Sequence, residues 1–186
     1  PYQSFVFLSK EEKMVSLELP ALKERIIDKK EGGMCFETTE LVYQALKTIG
    51  FDVCRVTSTT LNNMPYNPKM PPIHIILIVK VEGKSFLVDV GFGYNSPRYP
   101  LEFTFEKTEE VAVSSFEKYR LVVNPDNYQL DMWIKDSWFS FYRFDNPPNI
   151  IDSKGMEKCY KAMLDSPERI LIRDYYIKCA ILTNTD

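Results

Sequence analysis

The sequence contains little histidine and little cysteine. Its 186 residues include one histidine and four cysteines, none of them in a C-x-x-C pair. A single imidazole nearly excludes a histidine-rich metal site, so we predict no bound metal, and any imidazole chemistry has to use His74. The cysteine spacing is typical of a reduced, intracellular protein, which predicts a cytoplasmic location.

A strong charge imbalance and long apolar runs are also absent. The formal net charge is −3 with both signs interspersed, whereas a nucleic-acid-binding face needs a cluster of basic residues. No apolar run approaches the roughly 18 residues of a membrane span, and "PYQSFVFLSKEEK" at the N-terminus has neither the basic region nor the cleavage site of a signal peptide. We therefore expect no nucleic-acid and no membrane partner. The sequence does not indicate an oligomeric state.

Hydrophobic periodicity divides the sequence into three segments. Residues 1–50 are predicted to be a helical segment, in which one helix runs from about Cys35 to Thr48. Residues 51–145 change to a period of two with turn signals between short strands, which predicts an antiparallel β-barrel. Residues 146–186 contain one further helical pattern and one further strand pattern, "YYIKCAIL". The predicted buried stripe of the first long helix consists of Leu41, Val42, Ala45, Leu46 and Ile49.

The segment "IHIILIVKVEGKSFLVDV" is predicted to be a β-hairpin with the Glu-Gly dipeptide in its turn. A two-residue turn pairs Val81 with Lys84, which puts His74 and Asp89 on one face as diagonal neighbours, roughly 7–8 Å apart at the backbone. A carboxylate inside such an apolar strand is costly unless it is paired, and His74 is the titratable partner within reach on that face. The hairpin therefore predicts that Asp89 orients the imidazole.

Cys35 has two interpretations. A free cysteine is usually an inert, buried apolar residue, and the other three cysteines are assigned to that class because each lies within an apolar strand or helix pattern. Cys35 differs because it begins the predicted helix, where free N–H groups and the positive end of the dipole stabilise a thiolate and can hold an oxyanion. With His74 and Asp89 it completes a Cys–His–Asp set. A structural histidine, and an aspartate that caps the following "GFG" turn, remain alternatives.

These residues together resemble the arylamine N-acetyltransferase family. Cys35 lies in "GGMCFE", followed by "LVYQALKTIGF", and the family motif there is R-G-G-x-C-x-[EQ] followed by a helix that ends in "GF". His74 opens "HIILIV" and Asp89 lies in "FLVDVGFG", in the order and at the spacing of the family. Weaker similarity in "PYQS" and "MLDSPE" extends the resemblance over most of the chain.

The resemblance implies an α+β fold with a core similar to that of cysteine proteases and transglutaminases. Its parts are an N-terminal helical segment that carries the nucleophile, an antiparallel β-barrel, and a partial C-terminal α/β lid that residues 146–186 begin. The family scheme makes Cys35 the acyl carrier, His74 the base and Asp89 the residue that orients it. The candidate substrate-binding residues are Phe36, Ile73, Phe92 and Gly93, and Phe92 matches a family position that lines the acceptor pocket.

Three features depart from the family pattern. Glu31 stands where the family has an arginine, which removes a usual ion-pair partner near the nucleophile. Glu168 and Ile170 replace small hydroxyl residues that the family uses near coenzyme A (CoA). Family members are also longer at both ends, so we expect a truncated or divergent member that lacks the first helices and most of the lid.

The main functional hypothesis is an acyltransferase of xenobiotic metabolism. It moves an acetyl group from acetyl-CoA, the only cofactor implied, to an arylamine, an arylhydrazine or a similar amine through an acyl-cysteine intermediate. One alternative is a cysteine hydrolase or transglutaminase-like enzyme that uses the same three residues on amides. Another is a non-catalytic relative that serves as a binding module.

Overall fold

The computed structural model describes residues 2–3, 14–93, 96–114, 117–166 and 179–180. Its helices are α1 (Leu19–Leu22), which continues into a π-helical turn (Lys23–Asp28), α2 (Cys35–Ile49) and α3 (Ser153–Asp165). Its strands are β1 (Tyr2–Gln3), β2 (Asp52–Thr60), β3 (His74–Val81), β4 (Lys84–Val88), β5 (Leu101–Glu102), β6 (Glu109–Ala112), β7 (Lys118–Val123), β8 (Asn127–Ile134), β9 (Ser137–Asp145), β10 (Ile150–Ile151) and β11 (Cys179–Ala180).

Nine strands form one antiparallel sheet in the order β5-β4-β3-β2-β9-β8-β7-β6, with β10 paired to β2. The α+β class predicted for the chain is confirmed: the sheet curves into a nearly closed barrel with the helices outside it. The sequence predicts a last strand in "YYIKCAIL". Of that segment the structure describes β11, which pairs with β1 near the N-terminus. No described helix is long and apolar enough to cross a membrane.

The hairpin β3–β4 has the predicted register. Val81 pairs with Lys84 and Leu77 with Val88. The turn residues Glu82 and Gly83 have φ of 49° and 79°, as a type I′ turn requires of both central residues. The two-residue turn therefore fixes which side chains of the hairpin face α2.

Helix α2 packs on the hairpin through its first turns, and this differs from the predicted stripe. Ala45 is exposed and Ile49 is 72% exposed, so these two predictions were wrong. The buried apolar residues of α2 are instead Cys35 and Phe36, and further along the helix Val42 and Leu46 are partly buried against Val53, Leu77 and Val79. Thr39 attaches the N-terminal half of α2 to β3 by donating a hydrogen bond to the carbonyl oxygen of Ile75 (3.3 Å).

Three buried clusters meet at this hairpin. The smallest consists of Val53, Leu77 and Val79, and Val42 and Leu46 of α2 pack against it. Of the two larger clusters, one fills the barrel with residues from β2, β3, β4, β5, β7, β8 and β9. The other joins the start of α2, β3 and α3 and consists of Met34, Cys35, Phe36, Ile75, Met156, Tyr160 and Met163. The first residue of α2 therefore lies between the barrel wall and α3.

Candidate active site

Cys35 is the first residue of α2. Met34 precedes the helix in extended conformation, and its N–H donates to the Glu37 side chain, which fixes where the helix begins. The Cys35 side chain is a free thiol that is 7% exposed, and its Sγ donates to the carbonyl oxygen of Ile73 at 3.7 Å. The predicted helix start at Cys35 is thus present, with the thiol directed at the beginning of β3.

His74 and Asp89 form the predicted pair. Nε2 of His74 lies 2.9 Å from Oδ2 of Asp89, and both side chains are almost fully buried. The other carboxylate oxygen, Oδ1, accepts from the N–H groups of Gly91 (2.8 Å) and Phe92 (3.1 Å). Asp89 therefore orients the imidazole and caps the "GFG" turn at the same time, so the two interpretations of this residue are compatible.

Electrostatics around the ring favour a charged imidazole. Burial lowers the pKa of His74, but the charge and hydrogen bond of Asp89, with a smaller contribution from Cys35, outweigh it and raise this pKa to about 10. Nε2 is engaged by Asp89, so Nδ1 is the ring nitrogen that remains for Cys35. The structure thus brings Cys35, His74 and Asp89 together in a chain of contacts with low solvent access.

The raised pKa of His74 predicts a pH-dependent stability. In the unfolded chain the pKa of His74 returns to about 6.5, so its contribution to stability is fully present below about pH 6.5 and is lost as pH rises through about 10. Denaturant unfolding across this range should show the free energy of unfolding falling by a few kcal/mol. His74→Gln should flatten this fall. An equal fall in the variant would mean that other groups cause it.

Gly91 lies against the nucleophile. A Cβ at this position would lie 2.6 Å from Cα and 2.7 Å from Cβ of Cys35, and 3.2 Å from Oγ1 of Thr39. The first two contacts are too short to keep, and both of those atoms belong to Cys35, the first residue of α2. The turn after Asp89 therefore needs glycine because the chain passes directly over the first residue of the helix.

We expect Gly91→Ala to displace Cys35 relative to His74. The expected loss of Cys35 reactivity is about 100-fold, because small errors in position are costly for a reacting group. The rate of alkylation of Cys35 by iodoacetamide measures this effect. Gly83→Ala is the matched control, since Gly83 lies in the hairpin turn with positive φ and open space around it. It should lower stability without changing alkylation, and equal rates in the two variants would contradict the steric account.

The candidate substrate-binding residues have different surroundings. Phe92 is half-buried, and its ring meets His74 edge-on at a centroid distance of 5.2 Å. Ile73 is half-buried and holds the Cys35 thiol through its carbonyl oxygen, and Gly93 has a φ of 96° in the turn beyond Phe92. Phe36 is fully buried and stacks on Tyr160, with ring centroids 4.8 Å apart, so its side chain joins α2 to α3.

Tyr142 is a site residue that the sequence analysis missed. It is fully buried on β9, with its ring centroid 5.1 Å from that of His74 and 5.5 Å from that of Phe92. Burial, and then the neighbouring Asp89 carboxylate, raise the pKa of the Tyr142 hydroxyl, which therefore stays protonated beside the pair. A tyrosine in an aromatic strand pattern gives no signal that its ring will pack beside His74 and Asp89.

Of the residues that depart from the family pattern, the structure describes Glu31. Glu31 is exposed, and its backbone N–H donates to the carbonyl oxygen of Arg25 (3.0 Å) at the end of the π-helical turn. The ion-pair partner near the nucleophile is Arg25 itself, whose Nη2 lies 3.1 Å from Oε1 of Glu37. Glu31 does replace the motif arginine, but an arginine from the π-helical turn pairs with a carboxylate beside the nucleophile. Glu168 and Ile170 lie outside the described residues.

Comparison with known proteins finds one family. A family profile described as N-acetyltransferase matches residues 1–180. The arylamine N-acetyltransferase of Mycobacterium tuberculosis is 32% identical over 127 residues, which are 67% of this chain and 44% of that protein. Its fold matches with a TM-score of 0.79 at 26% identity in a solved structure, covering 90% of this chain and 61% of that one.

Two further solved structures have similar folds. One is an arylamine N-acetyltransferase of Mycobacterium marinum in complex with CoA, with a TM-score of 0.74, 26% identity, and coverage of 86% of this chain and 58% of that one. The other is a Bacillus cereus arylamine N-acetyltransferase described with a Cys-His-Glu catalytic triad, with a TM-score of 0.74, 26% identity, and coverage of 92% and 66%. The chain spans about half the length of the curated relatives it matches. With a profile that covers nearly the whole chain and these matches in sequence and fold, the protein belongs to the arylamine N-acetyltransferase family.

Proposed function

We propose that this protein transfers an acetyl group from acetyl-CoA to an arylamine, an arylhydrazine or a similar amine, with Cys35 as the acyl carrier. The observation that carries the proposal is the contact chain in which Asp89 binds His74 and His74 adjoins the Cys35 thiol at the start of α2. The CoA complex of a family member supports CoA as the carrier of the donated group. The three residues match the family motif one by one.

The first half of the reaction acylates Cys35. Its thiolate attacks the thioester carbonyl carbon, and a new S–C bond forms as the C–S bond to CoA breaks. The CoA thiolate takes the proton that His74 held, which leaves an acetyl-cysteine and a neutral imidazole. Backbone N–H groups at the start of α2 are available to stabilise the oxyanion of the tetrahedral intermediate.

The second half passes the acetyl group to the amine. The amine nitrogen attacks the acetyl carbonyl, His74 accepts its proton, and Cys35 leaves as a thiolate beside the imidazolium. Acylation removes the thiolate, one of the causes that raise the pKa of His74, so this pKa falls and the ring can remain neutral, as a general base must be. Asp89 keeps the ring in place through both halves.

The acceptor site proposed here lies beside Phe92, with Ile73 and Gly93 at its edges. An apolar, partly aromatic wall favours an arylamine, whose nitrogen is largely unprotonated at neutral pH, over water and over charged aliphatic amines. Phe92 stacks on Phe141 at 4.8 Å between ring centroids, which fixes the orientation of its ring. Phe36 is left out of this surface because it is fully buried against α3.

We also propose the cytoplasm as the location and xenobiotic amines as the acceptors. Cys35, Cys54 and Cys159 are free thiols, which suits a reducing compartment. Residues 1–50, 51–145 and 146–186 are proposed as the helical segment, the barrel and the beginning of the lid. No metal is needed in this scheme.

Product analysis tests the proposal. The full chain is incubated with acetyl-CoA and an arylamine, and the products are separated by chromatography. Acetylated arylamine in step with released CoA is the expected result. Released CoA without acetylated amine would favour a hydrolase, and acetyl-CoA left intact together with an unreactive Cys35 would favour a binding module; either outcome would overturn the transferase.

A further inference from the structure

Glu37 is a buried carboxylate two residues beyond the nucleophile. Its side chain is 1% exposed. Oε1 lies 3.1 Å from Nη2 of Arg25 and accepts a hydrogen bond from the Tyr160 hydroxyl at 3.0 Å, while Oε2 accepts from the N–H of Met34. The carboxylate therefore joins the π-helical turn, the residue before α2, and α3.

The packing around Glu37 leaves it little freedom. The Phe36 and Tyr160 rings stack with an interplanar angle of 5°, which brings the tyrosine hydroxyl under the start of α2. A Cβ on Gly33 would lie 3.0 Å from Cβ of Glu37 and 3.4 Å from Nη2 of Arg25, so the glycine makes room for the ion pair. Glu37 is thus held against Gly33 and Met34, the two residues directly before Cys35.

The charge of Glu37 bears on the thiolate. A carboxylate next to Cys35 without a cation would oppose a second negative charge there, and burial would strengthen that repulsion. Arg25 supplies the cation. Burial, and then the Glu37 carboxylate, raise the pKa of Tyr160, so its hydroxyl remains a donor to Glu37 over the whole working range of pH.

We propose that Arg25, Glu37 and Tyr160 form a positioning cluster beneath the nucleophile, in which Glu37 fixes the start of α2 and Arg25 cancels the charge of Glu37 so that Cys35 is held as a thiolate. The inference rests on the proposed role of Cys35 as the acyl carrier. It assigns to Arg25, ten residues before the nucleophile, the ion-pairing role that the family motif gives to an arginine directly before the two glycines.

The test follows the pH dependence of Cys35 alkylation by iodoacetamide in the full chain, with the modified residue identified by mass spectrometry. Arg25→Met leaves the carboxylate unpaired and should raise the pH midpoint of alkylation by about one unit. Glu37→Gln keeps the side-chain oxygen but removes the charge, and it should lower the midpoint. The double variant should return the midpoint close to that of the native chain.

The opposite signs separate a charge effect from damage to the fold. The described charged and titratable groups around this site come from every element packed near it. They are His74 on β3, Asp89 after β4, Tyr142 on β9, Arg25 on the π-helical turn, Cys159 and Tyr160 on α3, Glu37 on α2, and the pair of Glu40 on α2 with Arg55 on β2. Only two of these groups change in the variants. Midpoints that move in the same direction in both single variants, or a double variant that is no better than Arg25→Met, would overturn the proposal.

Two further variants complete the design. Lys23→Met removes the same charge from the same turn, where Lys23 pairs with Asp28 and is mostly exposed, and it should leave the midpoint unchanged. Arg25→Lys keeps the charge and should keep the midpoint. If Arg25→Met does not fold, Arg25→Lys and Glu37→Gln together still test the charge effect. Alkylation involves no acetyl-CoA. A chain with the expected midpoints but no acetyl transfer would therefore contradict the proposed function without contradicting the positioning cluster.

Discussion

Cys35→Ala is expected to lower the rate of acetyl transfer about a millionfold, to the level set by substrate binding alone. The reason is that, among the described residues, Cys35 is the thiol that interacts with His74, and an alanine methyl group cannot form the thioester. Alanine fits the space of the 7% exposed thiol, so the fold should survive. The measurement is the rate of acetylated arylamine formation at saturating acetyl-CoA, with the melting temperature of each variant beside it.

Two other cysteines provide the control for that experiment. Cys54 and Cys159 are free and half-buried, and burial raises the pKa of both thiols. Neither is in the described contact chain of His74. Cys54→Ala and Cys159→Ala should therefore leave the rate close to that of the native chain. A large loss in either variant at normal stability, or transfer in Cys35→Ala well above the level set by substrate binding alone, would contradict the assignment of the nucleophile.

Asp89→Asn is expected to lower the rate about 10⁴-fold, although the side chain keeps its size. The amide oxygen can still accept from the N–H groups of Gly91 and Phe92, so the amide NH₂ then faces Nε2 of His74. This arrangement makes Nε2 an acceptor and puts the ring proton on Nδ1, which can no longer take a proton from Cys35. The loss of the carboxylate charge also removes the largest cause that raises the pKa of His74.

The rate of acylation as a function of pH tests this account. In the native chain the thiolate–imidazolium pair should persist until pH approaches about 10, the pKa of His74. In Asp89→Asn the pair should be lost already near neutral pH, because burial then acts to lower that pKa. Asp131→Asn is the matched control: Asp131 is fully buried and paired with Arg120 at 2.6 Å on the barrel wall. An unchanged profile in Asp89→Asn would contradict the orienting role.

The hairpin was predictable because its register depends on local chemistry. A Glu-Gly turn and two apolar strands determine the pairing of Val81 with Lys84, and side-chain alternation then puts His74 and Asp89 on one face. The start of α2 at Cys35 followed in the same way from the glycines before it and the helical period after it. These are short-range properties, and they carry most of the candidate site.

The features that the sequence analysis missed depend on contacts between distant segments. Ile49 fits a helical apolar stripe, but the cluster that receives Val42 and Leu46 of α2 does not include it, so it is exposed. Tyr142 and Tyr160 reach the site from β9 and α3, more than 100 residues beyond Cys35, and their patterns are ordinary for a strand and a helix. Arg25 pairs with Glu37 because the π-helical turn lies against the start of α2, and hydrophobic periodicity does not predict this contact.

The most direct test of the central claim is the mass of the full chain after incubation with acetyl-CoA in the absence of an amine. The account predicts one added acetyl group, found after digestion on the peptide that contains Cys35, and its loss when an arylamine is added. Cys54 and Cys159 should remain unmodified. An unchanged mass, or an acetyl group on any other residue, would contradict the assignment of Cys35 as the acyl carrier of this protein.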